Sequence, residues 1–369
     1  MKVLVVNPIL YTSETSKVKR IGTIKDTMIY NMCLELLRAG HEPVLVAALD
    51  YKPIKEEKYD FEVIFFDTKF KKIFKPNCFP WLGGLRSYMK KNSFEYDFII
   101  SSEVFSMSSL YMSIWQKKKT IIWHELAKHN NILKKIPSII WYNIIARICF
   151  KNTRIVPRSK NAYDFISKYC NNVSDEYIDH GVNLEEFNLI TKKRKKQFVV
   201  LSQLIKRKRI DGIIDVFADF VKKMDNEYVL YIIGIGDEEK KLKEKAKAYR
   251  LEEKIIFTGF MTHEEMKPIL GTSQAMIINT EKDNNMVSIV ESLALGTPII
   301  TTDIPYNVDY IKRYKLGVVK EKLSYSDLKE IVDNNLLYVN NCINYREKIS
   351  NEYHVKQFIQ EYKKVIGEK

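Results

Sequence analysis

Two carboxylates stand eight residues apart in the stretch Asp283-Asn284-Asn285-Met286-Val287-Ser288-Ile289-Val290-Glu291, which runs on into Gly296-Thr297-Pro298. The first falls in a polar loop and the second about one turn inside a helical pattern. A helix start offers backbone N–H groups without intrahelical partners, and its dipole favours an anion. A pyrophosphate fits that position. The two carboxylates would then flank the anion, each able to accept hydrogen bonds from sugar hydroxyls. A plainer reading of the same residues is a loop aspartate and a solvated helical glutamate. A histidine, His124, follows an apolar run in the first half of the chain; it reads either as a group aimed at a substrate or as a satisfied histidine at a strand end.

The elements that must position these residues come in two similar series. Val3–Val6 is a continuous apolar run, the mark of a strand buried on both faces. A polar loop from Tyr11 to Arg20 follows. Gly22 and Thr23 open a helical pattern (Ile24, Met28, Met32, Leu36) that Gly40 closes, and Val44–Val46 is the next strand. Strand, helix and strand within about 45 residues make a βαβ unit and predict a parallel sheet. Further short apolar runs stand at Val63–Phe66, Phe98–Ile100 and Thr120–Trp123. After a basic stretch at Lys192–Lys196, which reads as a linker, the pattern restarts. Strands are expected at Phe198–Leu201, Tyr228–Ile233, Ile255–Phe257, Ala275–Ile278 and Pro298–Thr301. Helices are expected at Ile210–Met224, Glu238–Tyr249 and Val287–Leu295. The fold class is therefore α/β, with two Rossmann-like, doubly wound domains facing a cleft.

The acidic pair and its surroundings resemble the retaining glycosyltransferases of family 4, which have the GT-B fold. Their signature is an acidic residue, seven residues, a glutamate, then a small residue with Gly-Thr-Pro. Ile232-Ile233-Gly234-Ile235-Gly236-Asp237 is similar to their Gly-x-Gly turn. Phe257-Thr258-Gly259-Phe260 resembles their loop beneath the nucleotide base, which Met261 extends. Leu201-Ser202-Gln203-Leu204 with Lys208, Ile210 and Asp211 resembles their Gly-Arg-Leu…Lys-Gly segment, and His180-Gly181-Val182-Asn183 with Phe187 their hinge. These pieces keep the family's order from Asp179 to about Val319. The N-terminal likeness is looser: Gly22 in the first loop, and Trp123-His124-Glu125 after a strand.

What the resemblance implies is a retaining hexosyl transfer from a nucleotide diphosphate-sugar to a glycan or lipid-linked acceptor in cell-surface polysaccharide synthesis. The donor is expected to be a UDP-sugar first and a GDP-sugar second, with no cofactor. His124, Asp283 and Glu291 are the catalytic candidates: His124 faces the reacting sugar, Asp283 its hydroxyls, Glu291 the ribose. Gly22, Gln203, Lys208, Gly236, Phe260, Met261, Asn285, Met286, Val287 and Ser288 are the donor-binding candidates, the last three through backbone amides. Asp283 replaces the family's usual glutamate, and Gln203 its usual arginine, with Lys206, Arg207 and Arg209 near enough to compensate. No Asp-x-Asp metal signature stands at a strand end. Lys208 and a helix start can neutralise the leaving diphosphate, so no metal requirement is expected. The alternative functions are a nucleotide-sugar-binding protein and a GT-B nucleotide-sugar epimerase, neither needing an acceptor.

The chain's 369 residues correspond to two domains at about 150 residues each. The expected division is 1–190 for the acceptor domain, 191–345 for the donor domain, and 346–369 as a helix returning to the first. Hydrophobic residues at 46% and charged ones at 29% exclude a disordered chain or a collagen-like repeat. The five cysteines form no CxxC pair, which fits a reducing compartment and argues against a zinc site or disulfide framework. With no signal peptide at the N-terminus, a cytoplasmic protein is expected. The apolar stretch Ile136–Phe150, broken by Asn143 and Arg147, is too short to span a bilayer at ~20 residues.

The formal net charge is +14, and Lys69–Lys135 carries 13 basic against 4 acidic residues. Such a surface implies an anionic partner or a merely solubilising coat. Within it, Lys69, Phe70, Lys71, Lys72, Phe74, Lys75, Phe79 and Trp81 interleave bases with aromatics. That composition suits an anionic membrane surface on the cytoplasmic face, where a lipid-linked acceptor is presented. A loop over the first domain's core is the other reading. Nucleic acid is not expected as a partner, because no nucleic-acid motif accompanies the charge.

Overall fold

The computed structural model describes residues 1–11, 18, 20–188, 191–224 and 227–368. Most of the polar loop expected at Tyr11–Arg20 lies outside the described residues. The chain divides into two compact units, Met1–Asn183 with Asn351–Lys369, and Leu184–Ser350. The first break falls a few residues before the expected 190. The turn Leu184–Phe187 belongs with the second unit: Phe187 is buried, and Arg346 Nη2 donates to its carbonyl at 3.1 Å.

In the first unit the elements run β1 (Lys2–Val6), α1 (Met28–Arg38), β2 (Glu42–Ala48), β3 (Glu62–Phe66), a hairpin of β4 (Thr68–Lys69) and β5 (Trp81–Leu82), α2 (Leu85–Asn92) and β6 (Phe98–Ser102). Then come α3 (Met107–Trp115), β7 (Thr120–His124), α4 (Ile136–Ile140), a π-helical turn (Trp141–Ala146) leading into α5 (Arg147–Cys149), β8 (Arg154–Pro157) and α6 (Lys160–Ile166). Six parallel strands form one sheet in the order β3-β2-β1-β6-β7-β8. The apolar run Val3–Val6 lies at its centre, fully buried, as an apolar strand covered on both faces must. Helix α1 starts later than Gly22, because Thr27 supplies the N-cap: its hydroxyl accepts from Tyr30 N at 3.4 Å. Gly40 takes φ +81° just past the helix, where a left-handed residue ends it.

The second unit runs β9 (Gln197–Leu201), α7 (Ile210–Lys223), β10 (Val229–Ile233), α8 (Glu239–Ala248), β11 (Ile255–Gly259), α9 (His263–Thr272) and β12 (Met276–Ile278). It continues through α10 (Val287–Ala294), β13 (Ile299–Thr302), α11 (Val308–Arg313), β14 (Gly317–Lys320), α12 (Tyr325–Asp333) and α13 (Asn335–Tyr345). Its parallel sheet has the order β11-β10-β9-β12-β13-β14, the same pattern as the first. In both sheets the order reverses beside the first strand. At such a switch point the loops leaving the carboxyl ends of the two central strands part and leave a crevice.

The stretch expected as a linker is not wholly solvated. Arg194 is held against the second unit, donating to Gly296 O at 2.6 Å, to Thr297 Oγ1 at 3.0 Å and to Gly271 O. It satisfies carbonyls at the C-terminus of α10, and burial lowers its pKa to about 10. The last helix, α14 (Asn351–Ile366), packs in the first unit through Val355, Phe358 and Tyr362.

Candidate active site

In the second unit the switch point lies between β9 and β12. The chain leaving β9 passes Ser202 and Gln203 into a tight turn at Lys206–Lys208. The chain leaving β12 passes Thr280 to Asp283 before α10. The two loops are tied together by Glu281 N donating to Arg207 O at 2.8 Å and Asn279 Nδ2 to Arg209 O at 3.1 Å. Asp283 lies where they meet. Its Oδ1 receives Arg207 Nη1 at 3.0 Å, and its Oδ2 receives Lys208 Nζ at 2.7 Å and the Thr280 hydroxyl at 2.6 Å. The carboxylate expected to face sugar hydroxyls is therefore engaged by two cations and a hydroxyl. Gln203 is itself exposed, and of the three cations expected to compensate for it, Arg207 is the one held on Asp283.

Replacing Lys208 by alanine is expected to weaken nucleotide diphosphate binding. A charge-assisted contact contributes about 1.5–3 kcal/mol, roughly a 10- to 150-fold change in Kd. Isothermal titration with UDP measures it; an unchanged affinity removes Lys208 from the site.

Helix α10 begins without a side-chain cap among the described residues; Met286 occupies the N-cap position with extended backbone. The expectation of three free amides is corrected at Met286, whose N–H donates to Asn307 Oδ1 at 2.6 Å. Asn307 is drawn in from the start of α11 and is itself buried. That leaves the Val287 and Ser288 amides, which stand in the first turn and have no carbonyl a turn earlier to bond. Both residues are half-buried, as is Asn285 beside them.

Glu291 lies one turn further into α10 and is 6% exposed, so the reading as a solvated helical glutamate fails. Its Oε1 is 3.6 Å from Nδ1 of His263, the first residue of α9. Burial raises the Glu291 pKa, against the opposing pull of His263 and Lys267. Sequence reasoning gave His263 no role. The signal available was its position directly after the Gly259-Phe260-Met261 loop, which carries it to α10. In that loop Gly259 adopts φ +73°, Phe260 is 73% exposed and Met261 half-buried, an apolar platform beside the site.

The Gly-x-Gly turn has a packing explanation. A Cβ at Gly234 would collide with Ser202 O, and one at Gly236 with Leu204 O. Leu204 N donates to Ile235 O at 3.0 Å and Glu238 N to Leu204 O at 2.9 Å. The glycines let the loop after β10 close against the loop after β9, so Gly236 shapes the crevice through the backbone.

In the first unit, His124 ends β7 and is fully buried. Its Nδ1 is 2.9 Å from Glu103 Oε2, and its carbonyl accepts from Arg158 N at 2.8 Å. The expectation that the ring faces a substrate is thus corrected: the accessible member of this pair is Glu103, whose side chain is a quarter exposed. Glu103 follows β6 with φ +68°, a strained conformation for a non-glycine residue of the kind found at functional positions. Burial disfavours its carboxylate, but His124, Arg158 and the Glu125 amide outweigh that and hold its pKa below the ordinary range. Arg158 also pairs with Glu125 at 3.0 Å and lies over the Trp123 ring at 3.6 Å. Gly22 lies exposed with open space around its Cα, so no protein neighbour demands a glycine there.

The basic aromatic segment forms the β4–β5 hairpin. Phe79 points inward, stacked on Phe105 at 4.3 Å and edge-on to Trp141 at 5.4 Å. Lys71 is paired with Asp50 at 2.9 Å and Asp67 at 3.4 Å. Of the aromatics expected to face outward, Trp81 does so in part, together with Phe70 and Ile73.

Two parallel-sheet α/β units in this strand order, each with its crevice at the switch point, make up the GT-B fold. Solved structures similar to the chain share this architecture. Sucrose-phosphate synthase from Thermosynechococcus elongatus matches with a TM-score of 0.68 at 13% identity, covering 100% of both chains. Anabaena HepE in complex with UDP-glucose matches at 0.63 and 11%, covering 98% of each. Residues 183–352 match the family model for glycosyl transferases group 1. An alpha-monoglucosyldiacylglycerol synthase of Streptococcus pneumoniae is 24% identical over 316 residues, 79% of this chain and 71% of the relative. An uncharacterized glycosyltransferase of Methanocaldococcus jannaschii is 25% identical over 79% of this chain and 80% of the relative. The chain is a GT-B glycosyltransferase.

Proposed function

We propose that this glycosyltransferase is a retaining enzyme of family 4 that moves a hexose from a nucleotide diphosphate-sugar to a lipid-linked acceptor at an anionic membrane surface, in cell-surface polysaccharide or glycolipid synthesis. The observation that carries the donor reading is the Asp283–Lys208–Arg207 cluster beside the start of α10. A diphosphate entering there competes with Asp283 for the two cations. Once released, the Asp283 carboxylate is free to accept the donor's sugar hydroxyls. The Val287 and Ser288 amides complete the anion site, Phe260 offers a face for the base, and Glu291 accepts the ribose hydroxyls. HepE's complex with UDP-glucose favours a UDP-sugar donor. The diacylglycerol in the name of the pneumococcal relative favours a lipid acceptor.

Glycosyl transfer develops positive charge at the anomeric carbon and negative charge on the leaving diphosphate. The two cations and the helix start stabilise the second of these. In the retaining route the diphosphate leaves from the face that the acceptor hydroxyl attacks and takes up that hydroxyl's proton. Neither Asp283 nor Glu291 then needs to become a covalent nucleophile.

The deciding experiment incubates UDP- and GDP-sugars with lipid extracts and follows product anomeric configuration by NMR. Donor consumption without a glycosylated product, or an inverted product, overturns the proposal. Activity is expected to persist in excess EDTA, since side-chain cations supply the counter-charge. A complete loss that magnesium or manganese restores would show a metal-dependent site.

A further inference from the structure

The run from Ile136 to Cys149 forms one helical length through α4, the π turn and α5. Its inner side packs Ser138, Trp141, Tyr142 and Ala146 into the first unit. Its outer side presents Ile136, Ile139, Ile140, Ile144 and Ile148, between 41% and 71% exposed. Isolated exposed hydrophobic residues are ordinary, but five isoleucines along one face are not. The same stretch, 132–151, holds Lys134, Lys135, Arg147 and Lys151 and no acidic residue. At ~1.5 Å per residue the helix is about 21 Å long, short of a ~30 Å hydrocarbon core. Among the described residues no helix is long and apolar enough to cross a membrane.

We infer that this isoleucine stripe is the membrane-docking surface of the protein, lying in the plane of an anionic bilayer with its isoleucines in the acyl boundary. The inference rests on the lipid-acceptor reading above and gives it a surface. Charge decides the occupant. An amphipathic helix flanked by bases and free of acids matches anionic headgroups, which draw lysines and arginines to the interface while the apolar side sinks in. A second copy of the chain would set the same basic face against itself, as a two-fold contact requires, and the like charges would repel. The β4–β5 hairpin abuts this helix through Phe79 on Trp141, and adds exposed Phe70 and Ile73 with Lys72 and Lys75. The lysine-rich hairpin supplies attraction, while the helix supplies the apolar contact that survives salt.

The test uses the full chain with phosphatidylcholine–phosphatidylglycerol vesicles, pure phosphatidylcholine vesicles, and UDP as an independent probe of the second unit. Wild type is expected to co-sediment with the anionic vesicles only. The double variant Ile140→Glu with Ile144→Glu is expected to bind them about tenfold more weakly or worse. It should keep the wild-type circular dichroism and UDP affinity, whereas Ile140→Leu with Ile144→Leu should bind vesicles as wild type does. Equal vesicle binding by the glutamate variant overturns the assignment, as does wild type ignoring anionic vesicles at low salt. So do wild-type dimers, in sedimentation without vesicles, that the glutamate variant lacks. Failure to bind UDP or any sugar nucleotide would instead sink the donor reading, whatever the vesicles show.

Discussion

Glu291→Gln is expected to lower kcat/KM by about 100-fold or more while raising the stability of the second unit. The two effects share a cause. A buried carboxylate that accepts ribose hydroxyls contributes charge-assisted hydrogen bonds of about 1.5–3 kcal/mol each, and glutamine keeps the shape without the charge. Without nucleotide, that charge sits buried beside His263 and Lys267, and burial has raised its pKa. The sign follows from linkage. A folded-state pKa above the unfolded value of about 4.3 gives stability that is present below pH ~4.3 and is lost as pH rises through the folded value. At neutral pH the ionised side chain therefore weakens the fold, and glutamine relieves it. Thermal melts and initial rates on the same preparation measure both. The rate of the wild type should also fall as pH drops towards the raised pKa, a limb the variant should lack. A glutamine variant within about threefold of wild-type kcat/KM contradicts the ribose role.

What could be read from the residues, and what could not, divides along a physical line. Val3–Val6 and Phe198–Val200 are legible because strands buried on both faces need apolar side chains throughout. The Gly-x-Gly turn is legible because the backbone of one loop closes on another, which excludes any Cβ. Strands β8 and β14 were not anticipated. Each is four residues at a sheet edge, too short for periodicity to distinguish from loop. The start of α1 shifted because a threonine cap at Thr27 prevails over the apolar spacing that begins at Ile24.

The site shows the same division. Asp283 and Glu291 were singled out by their spacing together with the family resemblance, but their partners come from elsewhere. Lys208 and Arg207 arrive from the loop after β9, His263 from the loop after β11, and Asn307 from the start of α11. No local pattern reports that Met286 N–H is taken by a side chain 21 residues on. His124 was correctly placed at a strand end, yet its partner Glu103 directly follows the neighbouring strand, a pairing that exists only once the sheet has formed. The apolar stretch at Ile136–Phe150 was visible as composition. Which isoleucines face out depends on the π turn and on Trp141 and Tyr142 facing in.

Arg154→Ala is expected to destabilise the first unit by about 3 kcal/mol, lowering its Tm by roughly 6–12 °C. Arg154 begins β8, and its Nε donates to Glu361 Oε2 on α14 at 2.6 Å; its Nη1 reaches Asn172 Oδ1 at 3.1 Å. Glu361 is 2% exposed. Burial works against its carboxylate, but Arg154 and Lys364 outweigh that and hold its pKa below the usual range. A pair 207 residues apart in sequence thus fastens the last helix to the sheet, beside the stacking of Tyr362 on Phe98 and the contact of Phe358 with Trp123. Without Arg154 the carboxylate stays buried with Lys364 as its remaining cation, and a buried charge stripped of a partner is costly. Replacing the pair together, Arg154→Met with Glu361→Leu, should recover most of the loss, because an apolar pair avoids the desolvation of both ions. Linkage gives a second signature. With the folded pKa depressed, the Glu361 contribution is present above pH ~4.3 and is lost as pH falls through the folded value. Wild type and Arg154→Ala should therefore converge in stability at acid pH and separate towards neutrality. A difference of under ~1 kcal/mol at neutral pH, or one that does not change with pH, would mean that α14 is held by its apolar contacts alone.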